Sequence, residues 1–596
     1  MSELNSKAIK GGEFLVVKTD FNAIFTPEEW TEEQQMIASM CNDFINQHVA
    51  PNLDRIDKME EGFMVQLLDK AGELGMLGLS VPEEFGGMGV DFKTSLYATE
   101  CLGKGHSFSV AYGAHTGIGS LPLLYYGNEA QKSKYSPLLA SGEWKAAYCL
   151  TEPSAGSDAN SGKTKAVLSE DGTHYVLNGQ KMWITNGGFA DLFTVFAKID
   201  DDKNLTAFLV EANSEGISLN PEEKKMGIKG SSTRQVFFNN VKVPVENLLS
   251  TRENGFKIAI NILNIGRIKL AAGVLGGSKE TIQDTLTYAK SREQFGKSID
   301  SYGAIQYKIA EQIIRTYVLE SATYRAGQNI EDAINALIES GEEKGKATLK
   351  GIEEFAAECA MLKVAASECL DYVADEAVQI FGGMGYSSES SVERSYRDSR
   401  INRIFEGTNE INRMLSVDMI LKKGLKGEID LLGPATKVAN DLLSIPDFSA
   451  DEKTTIEKLY TSVENFKKSI LLVAGASVQK LANSLSKEQE ILMNIADMLI
   501  WTYQAESALL RLDKTLHEKG EENSKVQLAI VNTYVYDTAD KINKAAKDAL
   551  NSFMAGDELM IALMGVKRFA KIDSFNPKTA RQLIAAAAIE KGNYPF

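Results

Sequence analysis

The feature that most constrains the fold is a change of pattern in mid-chain. From about Trp144 to Leu249, short β-branched and aromatic runs are punctuated by turns: Tyr175-Val176-Leu177 before Asn178-Gly179, Phe193-Thr194-Val195-Phe196, Thr206 to Val210, and Val236-Phe237-Phe238 before Asn239-Asn240. Helical periodicity lies on both sides. Thr31 with Gln34 three residues on reads as a capping box, and apolar residues then recur at helical spacing to Val49-Ala50-Pro51. Helices continue to about residue 140, broken by the turn Pro82-Glu83-Glu84-Phe85-Gly86-Gly87-Met88-Gly89. After Gly255 long periodic segments run to about residue 420.

The expected fold is therefore mainly α with a central β lobe. An arm (1–29) leads to an N-terminal helical domain (30–143), an antiparallel, barrel-like middle domain (144–250), a C-terminal helical bundle (251–423) and an additional helical domain (424–596). The last boundary rests on Lys422-Lys423-Gly424-Leu425-Lys426-Gly427, Pro434 and Pro446, which interrupt the helices.

With 596 residues and a net charge of −17, the chain repels phosphate backbones, so nucleic acid is not an expected partner. Its five scattered cysteines (Cys41, Cys101, Cys149, Cys359, Cys369) form no C-x-x-C pair, and none of its five histidines stands in a His-x-x-x-His pair. Neither a disulfide framework nor a metal site is expected. The first residues lack a basic-then-apolar leader, the first arginine is Arg55, and no run approaches the ~20 apolar residues that span a bilayer. A cytoplasmic protein without a transmembrane segment is expected.

There is no Gly-x-x-x-x-Gly-Lys-Ser/Thr loop, and Gly117-Ile118-Gly119 is not continued as a dinucleotide fingerprint. Five other segments are unusual. Tyr148-Cys149-Leu150-Thr151-Glu152-Pro153-Ser154-Ala155-Gly156-Ser157-Asp158 offers small residues for close backbone approach, or is simply a polar loop. In Lys181-Met182-Trp183-Ile184-Thr185-Asn186-Gly187-Gly188, strand alternation puts Trp183 and Thr185 on one face: an indole wall with a short hydroxyl, or a core tryptophan. Ser291-Arg292-Glu293-Gln294-Phe295-Gly296-Lys297, with Gln306 beyond, could pair a diphosphate with Arg292 and cover an adenine with Phe295, or face solvent. Gln379-Ile380-Phe381-Gly382-Gly383-Met384-Gly385-Tyr386 supplies glycine N–H groups. Phe405-Glu406-Gly407-Thr408-Asn409-Glu410 sets a carboxylate before a glycine turn.

Together these segments resemble the acyl-CoA dehydrogenase family over roughly residues 30–420. The resemblance implies FAD as cofactor, an acyl-CoA substrate, and Glu406 as the base that removes the α-proton while the β-hydrogen leaves as hydride to the flavin. It implies flavin contacts from Tyr148, Leu150, Thr151, Gly156, Ser157, Trp183 and Thr185. It further implies cofactor contacts from Arg292, Phe295 and Gln306 across a dimer interface, and from Gln379, Gly382, Gly383, Thr408 and Glu410. Ser157, Asn264, Arg267 and Gly407 are the implied substrate contacts, with Arg267 near the CoA moiety.

Some family members carry the base on another helix just before an arginine; here Gly266 holds that place and cannot take a proton. The helical extension after residue 424 is similar to that of the very-long-chain branch, which implies a homodimer, long acyl chains and an electron-transfer flavoprotein as acceptor. An acyl-CoA oxidase and a non-catalytic flavin- or CoA-binding scaffold are the competing readings.

Overall fold

The computed structural model describes residues 9–442 and 453–596. Thr31 accepts from the Gln34 backbone N–H, and Gln34 reaches back to the Thr31 N–H, so the expected capping box opens the Glu32–Phe44 helix. A π-helical turn (Ile45–Val49) and Pro51 end it. The Pro82–Gly89 stretch is a hydrogen-bonded turn with Gly86 and Gly89 at positive φ. Pro446 lies outside the described residues.

The middle of the chain holds eight strands: β1 (Ala146–Cys149), β2 (Lys165–Leu168), β3 (His174–Thr185), β4 (Leu192–Ile199), β5 (Thr206–Glu211), β6 (Ile217–Leu219), β7 (Thr233–Pro244) and β8 (Leu248–Leu249). They form one sheet in the order β6-β7-β3-β2-β4-β5-β8, with β1 beside β4. The expectation of a purely antiparallel lobe needs correction, because β1 and β2 both pair with β4 in parallel. Antiparallel neighbours need only short turns, which local sequence displays. A parallel pair joins segments far apart in the chain, and no local signal marks it.

The Gly255–Ser291 helix crosses the Phe92–Leu102 helix at closest approach. A Cβ on Gly276 would lie 1.9 Å from the Glu100 carbonyl oxygen, and one on Gly103 would lie 2.0 Å from that of Gly273. Only glycine allows this contact, which brings the N-terminal helices and the C-terminal bundle together around a cavity. The same helix departs from the reading that no run is apolar enough to span a bilayer, for its best 18-residue window has a mean hydropathy of 1.5. Two thirds of that window is buried against the Phe92–Leu102 and Ala356–Phe381 helices, so its apolar faces are spent inside the fold.

The extension helices Thr455–Leu481, Gln489–Lys519 and Lys525–Phe553 share one apolar core with the Gly303–Glu339 helix. Buried charges stitch the same joint. Arg511 donates to Glu320 at 2.6 Å and to Glu28 of the arm at 2.7 Å, while Arg325 donates to Glu506 at 2.9 Å.

Candidate active site

Glu406 sits in a tight turn, with φ +58° at Glu406 and +83° at Gly407. Two successive left-handed residues are costly unless held. Lys363 Nζ and Asn412 Nδ2 each donate to the Gly407 carbonyl at 2.7 Å, and Arg267 Nε donates to the Glu406 carbonyl at 3.2 Å. Thr408 then caps the Asn409–Leu425 helix by accepting from the Ile411 N–H. The Glu-Gly-Thr string is thus a turn followed by an N-cap, and it aims the Glu406 carboxyl away from the helix.

That carboxyl points at Gly266, where an added Cβ would lie 2.6 Å from Oε2. Oε2 is buried without a hydrogen-bond partner, and the Glu406 N–H has none either among the described residues. Burial pushes the carboxyl up, nearby Arg267 and Lys363 pull it part of the way back, and it settles at about 7. Gly266 and Glu406, the two positions between which the resemblance chooses, therefore face each other in space, which the sequence could not display.

Glu406, Gly266, Phe405 and Thr185 line one apolar cavity of about 260 Å³, whose walls continue over Gly113, Gly117, Ile118, Leu121, Ile262 and Leu270. Were Glu406 the base, only its ionised form would accept a proton, and kcat/KM would rise with pH through about 7 and level off above it. A profile flat from about pH 5 to about pH 9 would contradict the placement.

The loop at 150–158 and strand β3 are clamped together below the cavity wall. Lys181 Nζ, fully buried, lies 2.6 Å from Glu152 Oε1, and the Met182 N–H donates to the Thr151 carbonyl at 2.9 Å. Burial alone would raise Glu152, but Lys181 and the N–H groups of Lys163 and Thr164 hold it below the usual carboxylate range. His115 ties the preceding helix to β1: its Nδ1 accepts from the Ala146 N–H at 3.0 Å, which leaves Nε2 to donate to the Leu139 carbonyl. Burial pushes His115 down to about 4, so it stays neutral. Sequence reasoning missed Glu152, Lys181, Lys363 and His115, which act through partners distant in the chain, and Asn412, which acts on the turn just before its own helix.

Around this clamp several groups are left unpartnered or open. The Tyr148 hydroxyl is buried without a partner, Leu150 is buried, Thr151 is half-buried, and a Cβ on Gly156 would meet nothing within 4 Å. Ser157 is exposed beside it. The strand-alternation argument for Trp183 needs correction: the β3–β7 register shifts between Lys181 and Ile184, and Trp183 has φ +59°. This bulge leaves the indole 53% exposed, while Thr185, back in register, lines the cavity.

Phe295 is 95% exposed at the tip of a two-stranded hairpin, with Arg292 exposed at its base and Gln306 half-buried in the first turn of the following helix. Gln379, Gly382 and Gly383 form an exposed helix end, with Gly382 at φ +60° and open space where side chains would stand. Glu410 is exposed and, because Glu406 lies outside the helix, the two do not share a helix face as the i, i+4 spacing suggests. Arg267 and Asn264, expected as substrate contacts with Arg267 near CoA, are buried: Arg267 Nη1 donates to Asn264 Oδ1 at 2.8 Å, behind the Glu406 turn.

Comparison with known proteins agrees with this geometry. The acyl-CoA dehydrogenase N-terminal domain matches residues 31–143, the middle domain 147–241, and the C-terminal domain 253–421. A second acyl-CoA dehydrogenase C-terminal domain matches residues 465–568. The chain belongs to the acyl-CoA dehydrogenase family. A probable acyl-CoA dehydrogenase of Bacillus subtilis (strain 168) is 45% identical over 98% of both chains. The very long-chain specific acyl-CoA dehydrogenase of Homo sapiens mitochondria is 38% identical over 79% of this chain and 73% of its own. The crystal structure of an acyl-CoA dehydrogenase complexed with FAD from Bacillus anthracis superposes with a TM-score of 0.95, at 44% identity over 98% of this chain and all of that one. As an acyl-CoA dehydrogenase this chain is an oxidoreductase that uses FAD, and the partnerless Tyr148 hydroxyl and the open space at Gly156 fit that cofactor.

Proposed function

We propose that this acyl-CoA dehydrogenase performs the first oxidation of fatty acid β-oxidation on long-chain acyl-CoA, giving the trans-2-enoyl-CoA. It works as a cytoplasmic homodimer that passes electrons to an electron-transfer flavoprotein. The observation that carries the reading is the partnerless Glu406 carboxyl in the wall of an apolar cavity. An acyl chain filling the cavity excludes water, keeps Glu406 a strong base, and sets its α-carbon against the carboxyl. The unspent Glu406 N–H is a ready donor for the thioester oxygen as charge develops there. FAD, when bound, supplies the redox chemistry. Tyr148, Leu150, Thr151, Gly156, Ser157, Trp183, Thr185 and Thr408 would hold it, with Gln379, Gly382 and Gly383. In the dimer the exposed Arg292 and Phe295, with Gln306, would reach the cofactor of the other subunit, and burial there would account for a phenylalanine left in water by a single chain.

The dimensions of the cavity support the long-chain reading. Its lining on one helix runs from Ile262 to Asp284, about 33 Å at 1.5 Å per residue. A Cβ at Gly113 or Gly117 would meet nothing within 4 Å, so these glycines leave width where larger side chains would fill it. Each buried methylene adds about 0.8 kcal/mol, close to fourfold in affinity. Anaerobic titration with acyl-CoAs of graded length, followed by flavin bleaching, should favour hexadecanoyl-CoA over octanoyl-CoA. Gly117→Leu should reverse that order. A kcat/KM peaking at butyryl-CoA would refute the long-chain reading, and rapid hydrogen peroxide formation in air would make the protein an oxidase.

A further inference from the structure

Lys269 lies three residues beyond Gly266 on the Gly255–Ser291 helix, almost one 5.4 Å turn from the point that faces Glu406. Together with Thr99, Tyr112, Thr116 and Leu121 it lines both the acyl cavity and a smaller chamber next to it, so these five residues form the partition between the two. Among the described residues Lys269 makes no hydrogen bond, ion pair or ring contact. No charged neighbour acts on its amine, which burial alone pushes down to about 8. Leucine or methionine at this position would pack against an alkyl chain without the desolvation cost of an amine.

The smaller chamber accounts for one side of this amine. Hydroxyls of Ser95, Thr99, Thr116 and Ser120 line it, and each donates to a carbonyl of its own helix or helical turn, leaving oxygen lone pairs to accept. The Ser136 hydroxyl in the same chamber is buried without a partner. The space, about 20 Å³, takes one water. Oxygen acceptors suit a cation and repel an anion, and a water in the chamber would relay them to the amine. An ammonium has three donors, and at least one remains for the acyl cavity, whose apolar walls strengthen any charge pair formed there.

We infer that Lys269 forms, on the acyl side of the partition, a subsite for the distal carboxylate of medium-length ω-carboxyacyl-CoA thioesters, a second substrate class beside plain fatty acyl chains. The inference rests on the acyl-CoA reading above. Its test is calorimetric binding to the FAD-loaded protein of 3-thia analogues, in which sulfur replaces the β-methylene and no oxidation can occur.

The pair to compare is octanoyl and suberyl, equal in length and differing in the terminal carboxylate. Wild type should bind the suberyl analogue at least as tightly as the octanoyl one. Lys269→Met should shift that ratio by tenfold or more toward octanoyl, and Lys269→Arg should keep it near the wild-type value. An unchanged ratio in Lys269→Met, or a wild type that strongly prefers octanoyl, would mean that the amine serves only water in the chamber and would overturn the subsite. If wild type bound neither analogue but did bind a 3-thia hexadecanoyl-CoA control, the subsite would be overturned and the acyl-CoA reading would stand; if it bound none of the three, both would fall.

Discussion

Glu406→Gln should abolish turnover while leaving FAD and acyl-CoA binding nearly intact. Glutamine keeps the size of the side chain and most of its hydrogen-bonding capacity but cannot accept the α-proton, so the loss falls on the chemical step. General-base catalysis is worth about 10²–10⁴-fold, and among the described residues no second carboxylate acts on Glu406 that could replace it. Gly266 fills the facing position, and Glu410 is exposed on the following helix. Stopped-flow mixing of the oxidised variant with saturating hexadecanoyl-CoA should show flavin bleaching slowed by at least about a hundredfold. A rate within a few-fold of wild type would remove Glu406 as the base.

The second large effect is structural. Glu152→Ala should destabilise the protein by about 3–5 kcal/mol, because it leaves the fully buried Lys181 with only the Leu150 carbonyl at 3.2 Å. It also removes the acceptor for the Lys163 and Thr164 N–H groups, so the 150–158 loop loses its anchor and FAD retention should fall with stability. Adding Lys181→Met to Glu152→Ala should recover part of the stability, since an apolar chain there carries no unpaired charge. Denaturant unfolding and the flavin-to-protein absorbance ratio of each variant measure both effects. If Glu152→Ala unfolded within about 1 kcal/mol of wild type, the pair would not be the clamp described here.

Much of the site is legible locally. Phe405-Glu406-Gly407-Thr408 is visible as a string because a left-handed glycine and an N-capping threonine must be neighbours to make the turn. The capping box at Thr31 and the turn at Pro82–Gly89 are equally local. Trp183 shows where such reading fails. Alternation assumes an unbroken strand, and the bulge between Lys181 and Ile184 depends on how β7 pairs beside it.

By itself the sequence determined the order of helical and strand segments and the local turns and caps, the Glu-Gly-Thr turn among them, since each depends on near neighbours and on the period of the backbone. Only the tertiary structure decided that Gly266 faces Glu406, that burial holds its carboxyl at about 7, and that Lys363 and Arg267 pin its turn. The parallel pairing of β1 and β2 with β4, the Glu152–Lys181 clamp and the uncompensated amine of Lys269 were decided there as well. Each of these is set by what a group is packed against, and dielectric, charge compensation and free volume at a point are fixed by segments that meet only when the chain has folded.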